Sequence, residues 1–285
     1  TEGPVRLAPS VHAGRVYFGS DDGAAYCLDA ASGTVVWRFR PEMPDDRLIG
    51  NGQMISRWAC RSGVMVHDGR AYVAFGMWAD GVFVYCLDAA TGEIVWCNDT
   101  SGLRYMTQPH YEGMGGVSPQ GYLALCGETL VAPCGRATPA LFDAATGRLV
   151  YHEAEGLYPG GAWTMTYSNL VFTRCEAMGK PNNQLPPRKA RSSRDATLVA
   201  LDGAGGREVF HYRGGSWGVI SNDGVLSVVG QGKLLRAKLG AVLRQAGRVR
   251  RFRNTEGHIV DADLKAPRVG AVHALLQAGG TLIAG

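Results

Sequence analysis

The combination in this chain best suited to hold a ligand is arginine with tryptophan. Arg57, Trp58 and Arg61 lie close together, Gln108, His110 and Gln120 follow, and Arg136 comes next. Trp163 and Trp217 each stand behind a glycine pair, Gly160-Gly161 and Gly214-Gly215. A guanidinium forms ion pairs and an indole stacks, so the set suits an anionic planar ligand. The same residues also have a structural use, each Trp filling an interface between sheets and each Arg satisfying loop carbonyls.

Other chemistries find less support. No P-loop and no His-Glu-x-x-His pair occurs. The histidines (His12, His67, His110, His152, His211, His258 and His273) show no close metal-ligand spacing. Seven cysteines (27, 60, 86, 97, 126, 134 and 175) form no Cys-x-x-Cys, and an odd number argues against a complete disulfide framework. A hairpin turning at Gly127-Glu128 would set Cys126 beside Thr129 rather than Cys134. Buried free thiols are the expectation.

The elements that position these residues come from a repeat. Cys-Leu-Asp-Ala-Ala-Ser-Gly-Thr-Val-Val-Trp (27–37) returns as Cys-Leu-Asp-Ala-Ala-Thr-Gly-Glu-Ile-Val-Trp (86–96). It returns again as Leu-Phe-Asp-Ala-Ala-Thr-Gly-Arg-Leu-Val-Tyr (141–151) and Ala-Leu-Asp-Gly-Ala-Gly-Gly-Arg-Glu-Val-Phe (200–210). Asp29, Asp88, Asp143 and Asp202 are each followed four residues later by Gly33, Gly92, Gly147 or Gly206. Four residues further on stand Trp37, Trp96, Tyr151 and Phe210. A strand runs to the Asp, whose carboxylate accepts bonds from turn amides, and the Gly supplies a positive φ. A second strand then carries the aromatic. Upstream of each copy sits another hairpin, clearest at Arg15-Val16-Tyr17-Phe18-Gly19-Ser20-Asp21-Asp22-Gly23. Each unit therefore reads as four antiparallel strands, one blade of an all-β propeller, buried by stacking on its neighbours.

This pattern resembles the repeat of the pyrroloquinoline-quinone (PQQ) type β-propellers, Ala-x-Asp-x-x-Thr-Gly-Lys-x-x-Trp, best matched at Asp88, Thr91, Gly92 and Trp96. The resemblance covers roughly residues 8–230. It implies that Trp37 and Trp96 dock one blade on the next, with Tyr151 and Phe210 as weaker substitutes. It implies a choice of functions. Some members are quinoprotein dehydrogenases, with PQQ and Ca²⁺ in the propeller funnel. Others are non-catalytic, such as the propeller lipoprotein of bacterial outer-membrane assembly. It also implies an exported or periplasmic protein.

This chain has no adjacent cysteine pair and no evident Glu/Asn/Asp metal set. The reading is a single PQQ-like propeller domain over 1–285 that acts as a ligand- or protein-binding module, with no cofactor expected. The alternatives are a PQQ-dependent alcohol dehydrogenase and a glycan- or peptide-binding propeller. Four blades are clear. In a fifth, Lys238 falls where the Asp is expected, and residues 268–285 open a sixth, so the sequence reads as part of a ring cut from something longer.

Charge is unevenly placed. Net charge is +4, yet residues 233–253 carry eight Lys/Arg and residues 180–194 five, neither with an acid, which leaves −9 on the remainder. Residues 178–195 read as a basic surface insertion in blade four. Residues 233–253 read as a basic amphipathic helix, since Leu235, Leu239, Val242 and Leu243 share one face. No aromatic platform lies between Lys233 and Arg251, so nucleic acid is not the expected partner. No apolar run reaches the ~18 residues of a membrane span. Hydrophobic residues make up 46%, enough for a core, and the 40 glycines are about twice the usual share.

Overall fold

The computed structural model describes residues 1–50, 52–77, 80–107, 112–134, 137–152, 160–176, 196–213, 215–230, 233–240, 275–278 and 281–284. Four-stranded antiparallel sheets recur in chain order. Blade one is β1 (Ser10–His12), β2 (Arg15–Gly19), β3 (Ala25–Asp29) and β4 (Val35–Phe39). A hairpin, β5 (Arg47–Gly50) and β6 (Gln53–Ser56), precedes blade two. Blade two is β7 (Met65–His67), β8 (Arg70–Met77), β9 (Gly81–Asp88) and β10 (Ile94–Asn98). A second hairpin, β11 (Arg104–Thr107) and β12 (Glu112–Gly115), leads to blade three. That blade is β13 (Ala124–Cys126), β14 (Thr129–Ala132), β15 (Ala140–Asp143) and β16 (Leu149–Tyr151). Blade four is β17 (Gly160–Tyr167), β18 (Leu170–Glu176), β19 (Ala196–Asp202) and β20 (Glu208–Arg213). Three strands follow, β21 (Gly215–Ile220), β22 (Val225–Gly230) and β23 (Lys233–Lys238), and then the hairpin β24 (Leu275–Ala278) and β25 (Thr281–Ala284).

The central strands are buried on both faces, which is why they read as continuous apolar runs. In blade two Val73, Phe75, Tyr85 and Leu87 pack toward blade one, against Tyr17, Cys27 and Trp37. Ala74, Val84 and Cys86 alternate with them and pack toward blade three, against Leu130, Ala140 and Phe142. Val131 and Leu141 meet Val171, Val199 and Leu201 at the next interface. Phe172 and Leu198 then meet Leu226 and Val228. The segments leading into blades two and three touch directly through the parallel bridge Ser62↔Gly121.

The repeat does what its residue types require. Asp29 Oδ1 accepts bonds from the Ala31 and Ser32 amides at 3.2 and 2.8 Å. Asp88 repeats this with Ala90 and Thr91, and Asp143 with Ala145 and Thr146. Asp202 varies it, accepting from the Gly205 and Arg207 amides. The β3–β4 pairing slips by one residue between Cys27 and Leu28, and the same slip recurs before Trp96, Tyr151 and Phe210. Such a bulge re-aims the side chain beside it.

Trp37 lies flat on Gly92, where an added Cβ would stand 2.9 Å from Cδ2 and Cγ of the ring. Trp96 lies on Gly147 and Tyr151 on Gly206 in the same way. Each indole nitrogen donates into the next turn, Trp37 to Ala89 O and Trp96 to Ala144 O, both at 3.0 Å. The two tryptophans thus have equivalent surroundings, down to a tilted tyrosine beside each, Tyr17 or Tyr72, at 6.0 Å. For Phe210 only the backbone is described, opposite Ala200.

Lys238 pairs with Val225, the first residue of its neighbouring strand, as Asp29 pairs with Arg15 and Asp88 with Arg70. It therefore occupies the register of the missing Asp. Residues 233–238 correct the helical expectation, because they are a strand. β22 carries buried Leu226 and Val228 and needs a hydrogen-bonded partner along its open edge, and that requirement outweighs the weak spacing of the leucines. Residues 241–253 lie outside the described residues, as do 178–195, which connect the paired strands β18 and β19.

Candidate functional site

With four strands per blade, connections alternate between two ends. One end carries the short turns after β1 and β3 and their equivalents, with all four repeat aspartates. The other carries the β2–β3 connections, the long links between blades and both inserted hairpins. Long irregular loops on a regular scaffold are where binding residues concentrate.

Arg57 sits in the link between blades one and two. Its guanidinium meets Asp80 Oδ1 at 2.6 Å and Asp46 Oδ2 at 3.2 Å. Asp80 first and Asp46 second hold its pKa above the ordinary arginine value. Trp58 donates to Pro44 O at 3.1 Å and stands edge-on to Phe83. Arg61 comes within 4.0 Å of Asp21 Oδ1, and Arg6 makes the direct ion pair with Asp21 Oδ2. Asp21 is fully buried, and its Oδ1 accepts no hydrogen bond. Asp22 accepts from the Tyr26 hydroxyl at 2.6 Å. Burial, and then that bond to Asp22, push Tyr26 up to about 12.

Further charge pairs continue along the same end. Arg40 bonds Asp45, whose carboxyl is thereby held below its usual value, and Arg47 reaches Glu2 at 3.1 Å. Gln120 is exposed, and its backbone N–H donates to Pro133 O. The next residue ties it to Arg61, because the Gly121 N–H donates to Arg61 O. Trp163 packs at the edge of the core between β17 and β22. Trp217 is placed only by its backbone, opposite Val229. Gln108, His110 and Arg136 lie outside the described residues.

The structure thus brings Arg57 and Trp58 together, and Arg61 and Gln120 near them, while Trp163 belongs to a different blade. Sequence reasoning missed the carboxylates. The Asp21-Asp22-Gly23 pattern is legible as a turn, but nothing in its spacing shows that Asp21 is buried. A nucleophile-elbow spacing, not expected of this sequence, does stand at Gly214-Gly215-Ser216-Trp217-Gly218. Ser216 lies inside continuous strand β21, whereas an elbow requires a strand-to-helix turn.

Among the described residues, the buried thiols at this end offer no nucleophile. Cys60 and Cys134 are buried, and burial pushes them up to about 12 and about 11. A thiol with so high a pKa is not a thiolate at neutral pH. Cys27, Cys86 and Cys126 are also buried and free, and Cys126 pairs in register with Thr129. Cys97 departs from the expectation, because it faces solvent from β10, the outer strand of its blade.

Comparison with known proteins bears on this geometry. The family model described as outer membrane protein assembly factor BamB, of the PQQ repeat type, matches residues 1–159. No curated protein matches the chain. Among solved structures, the quinohemoprotein alcohol dehydrogenase ADHIIG of Pseudomonas putida HK5 aligns with a TM-score of 0.54 and 18% identity. That alignment covers 83% of this chain and 40% of the other. The quinohemoprotein alcohol dehydrogenase of Comamonas testosteroni aligns at 0.52 and 17%, covering 83% and 42%. The chain spans about two fifths of the length of these enzymes, and at such identity the likeness concerns the fold. A match over more than half the chain, joined to blades docked through Trp37 and Trp96, means that the chain belongs to the PQQ-type β-propeller family of the outer membrane protein assembly factor BamB.

Proposed function

We propose that the chain is a non-catalytic propeller module that binds a protein or small-molecule ligand through the long-loop end of its blades. The carrying observation is how charge is used there. Arg6, Arg40, Arg47, Arg57 and Arg61 each face a carboxylate of the chain itself. Apolar side chains meanwhile stand in solvent on the inserted hairpins. Ile49 and Met54, cross-strand partners, are 77% and 54% exposed, and Tyr105 is 69% exposed. Exposed apolar side chains beside neutralised charge fit a protein contact better than an anion site. The family's description as an assembly factor supports the same reading, and with it a location outside the cytoplasm. No described helix is long and apolar enough to cross a membrane.

PQQ fits the described residues poorly. A planar polycarboxylate needs several uncommitted cations, whereas Arg57 and Arg61 face acids and buried Asp21 adds a negative charge beside Arg61. No group of three His, Cys, Asp or Glu able to hold a metal lies among the described residues. The test is a titration with PQQ and Ca²⁺ at physiological salt, followed by alcohol-dependent dye reduction. Weak, salt-sensitive association without turnover is the expected result. Saturable submicromolar binding with turnover would replace this reading with a quinoprotein dehydrogenase.

A further inference from the structure

Residues 1–8 do not belong to any strand, yet they are held along their length by groups far away in the chain. The Glu2 N–H donates to Asp22 Oδ2 at 3.1 Å, and the Ser20 hydroxyl donates to Gly3 O at 3.1 Å. The Asp21 N–H donates to Pro4 O at 2.9 Å. Arg6 pairs with the buried Asp21 carboxylate, and the Ala8 N–H donates to the Tyr122 hydroxyl at 2.7 Å. Leu7 and the Tyr122 ring both approach Gly63. Val5, between the gripped positions, is 41% exposed.

This is how a groove reads an extended peptide. Backbone groups at positions 2, 3, 4 and 8 are each satisfied by a donor or acceptor of the groove. The third position admits only glycine, because a Cβ there would stand 2.5 Å from the Asp22 backbone nitrogen. The sixth position meets the floor of the groove, a carboxylate with no solvent exposure. A buried carboxylate left without its cation is costly, so the groove discriminates for a cationic side chain at that position. Asp21 Oδ1, still without a hydrogen bond, adds capacity for a donor there.

We propose that residues 20–23, Arg61, Gly63 and Tyr122 form a peptide-binding groove that residues 1–8 occupy in cis. The class of ligand it takes in trans is an extended segment of the form Gly-Pro-x-Arg. The groove lies at the long-loop end and opens only when the resident segment lifts. The proposal rests on the binding-module reading but fails separately from it, because the PQQ titration does not probe this groove.

The test uses the full chain carrying Gly3→Val or, independently, Arg6→Ala. Both changes loosen the resident segment and leave every groove residue intact. The probe is a fluorescein-labelled peptide of residues 1–9, read by anisotropy. Each variant is expected to bind it saturably, and more tightly than the unaltered chain by at least about tenfold. A peptide with Arg6→Ala is expected to bind the variants roughly thirtyfold more weakly. Asp21→Asn in the Gly3→Val chain should erase most of that discrimination. Equal binding to variant and unaltered chains overturns the proposal, and so does loss of the preference for arginine. So does the absence of binding by whichever variant unfolds as cooperatively as the parent.

Discussion

The two ends of the blades follow different rules. At the short-turn end one arrangement recurs: an Asp over its own turn amides and a glycine with positive φ in all four repeats, and an aromatic ring from the preceding blade resting on that glycine in the last three. At the long-loop end no two blades agree. Blade one is followed by a charged hairpin link, blade two by a hairpin bearing exposed Tyr105, and blade four is interrupted between β18 and β19. Repetition at one end is what leaves the other free to vary, because docking at the short turns already fixes how the blades stack. The largest test of this division is Trp96→Ala. It should cost about 3–5 kcal/mol in denaturant unfolding, the range for a buried Trp. Arg57→Ala, at the other end, should move the midpoint far less, since its two ion pairs are only partly shielded from solvent. A loss below about 1 kcal/mol for Trp96→Ala would mean that the aromatic does not dock the blades.

The same division governs what was legible in the sequence. The short-turn end is written in local offsets. Asp29 reaches amides two and three residues on, so the motif survives as a spacing, and even the degenerate fifth blade kept its register at Lys238. The long-loop end is written in distant pairs. Arg57 finds Asp80, 23 residues away, and Ala8 finds Tyr122, 114 residues away. No periodicity marks such partners. The arginines were therefore visible as cations and invisible as members of ion pairs. β23 failed for a related reason, because its state is decided by the edge of β22 and not by its own leucines.

Acid should separate the two ends. His152 follows β16 at the long-loop end, and both ring nitrogens are shut off from solvent without a hydrogen-bond partner. Burial, and then the charge of Arg104, push its pKa down to about 4 from 6.5. The neutral ring is the folded form. Stability is therefore complete above pH 6.5 and falls as the unfolded chain takes up the proton between there and about pH 4, by about 1.4 kcal/mol per pH unit. Asp29, Asp88 and Asp143 at the other end have carboxyls held below 3.8, chiefly by hydrogen bonds within their own turns. Their contribution is present above 3.8 and is lost only as pH falls through the lower folded values. Urea unfolding from pH 7 to 3 should show two slopes, and His152→Leu should remove the upper one. A parent protein with flat stability between pH 6.5 and 4.5 would show that the ring is not buried as a neutral base.

The finest comparison lies within the short-turn end, between two glycines with the same backbone. Gly33 has φ +72° and Gly147 has φ +73°. Each closes the turn after a repeat Asp, so placing alanine at either costs the same left-handed conformation, about 1–2 kcal/mol. They differ only in what lies above them. An added Cβ at Gly33 meets nothing within 4 Å, while at Gly147 it stands 2.4 Å from Trp96 Cε3. The indole cannot easily yield, because its nitrogen is bonded to Ala144 O and its ring lies against Tyr72. Gly147→Ala should therefore be the more destabilising of the two by about 1–3 kcal/mol, the usual cost of overpacking. In a Trp96→Ala background that excess should vanish, and the shortfall from additivity measures the docking contact itself. Equal losses at Gly33 and Gly147 would assign both glycines to turn geometry alone and leave the aromatic docking on Gly147 without energetic weight.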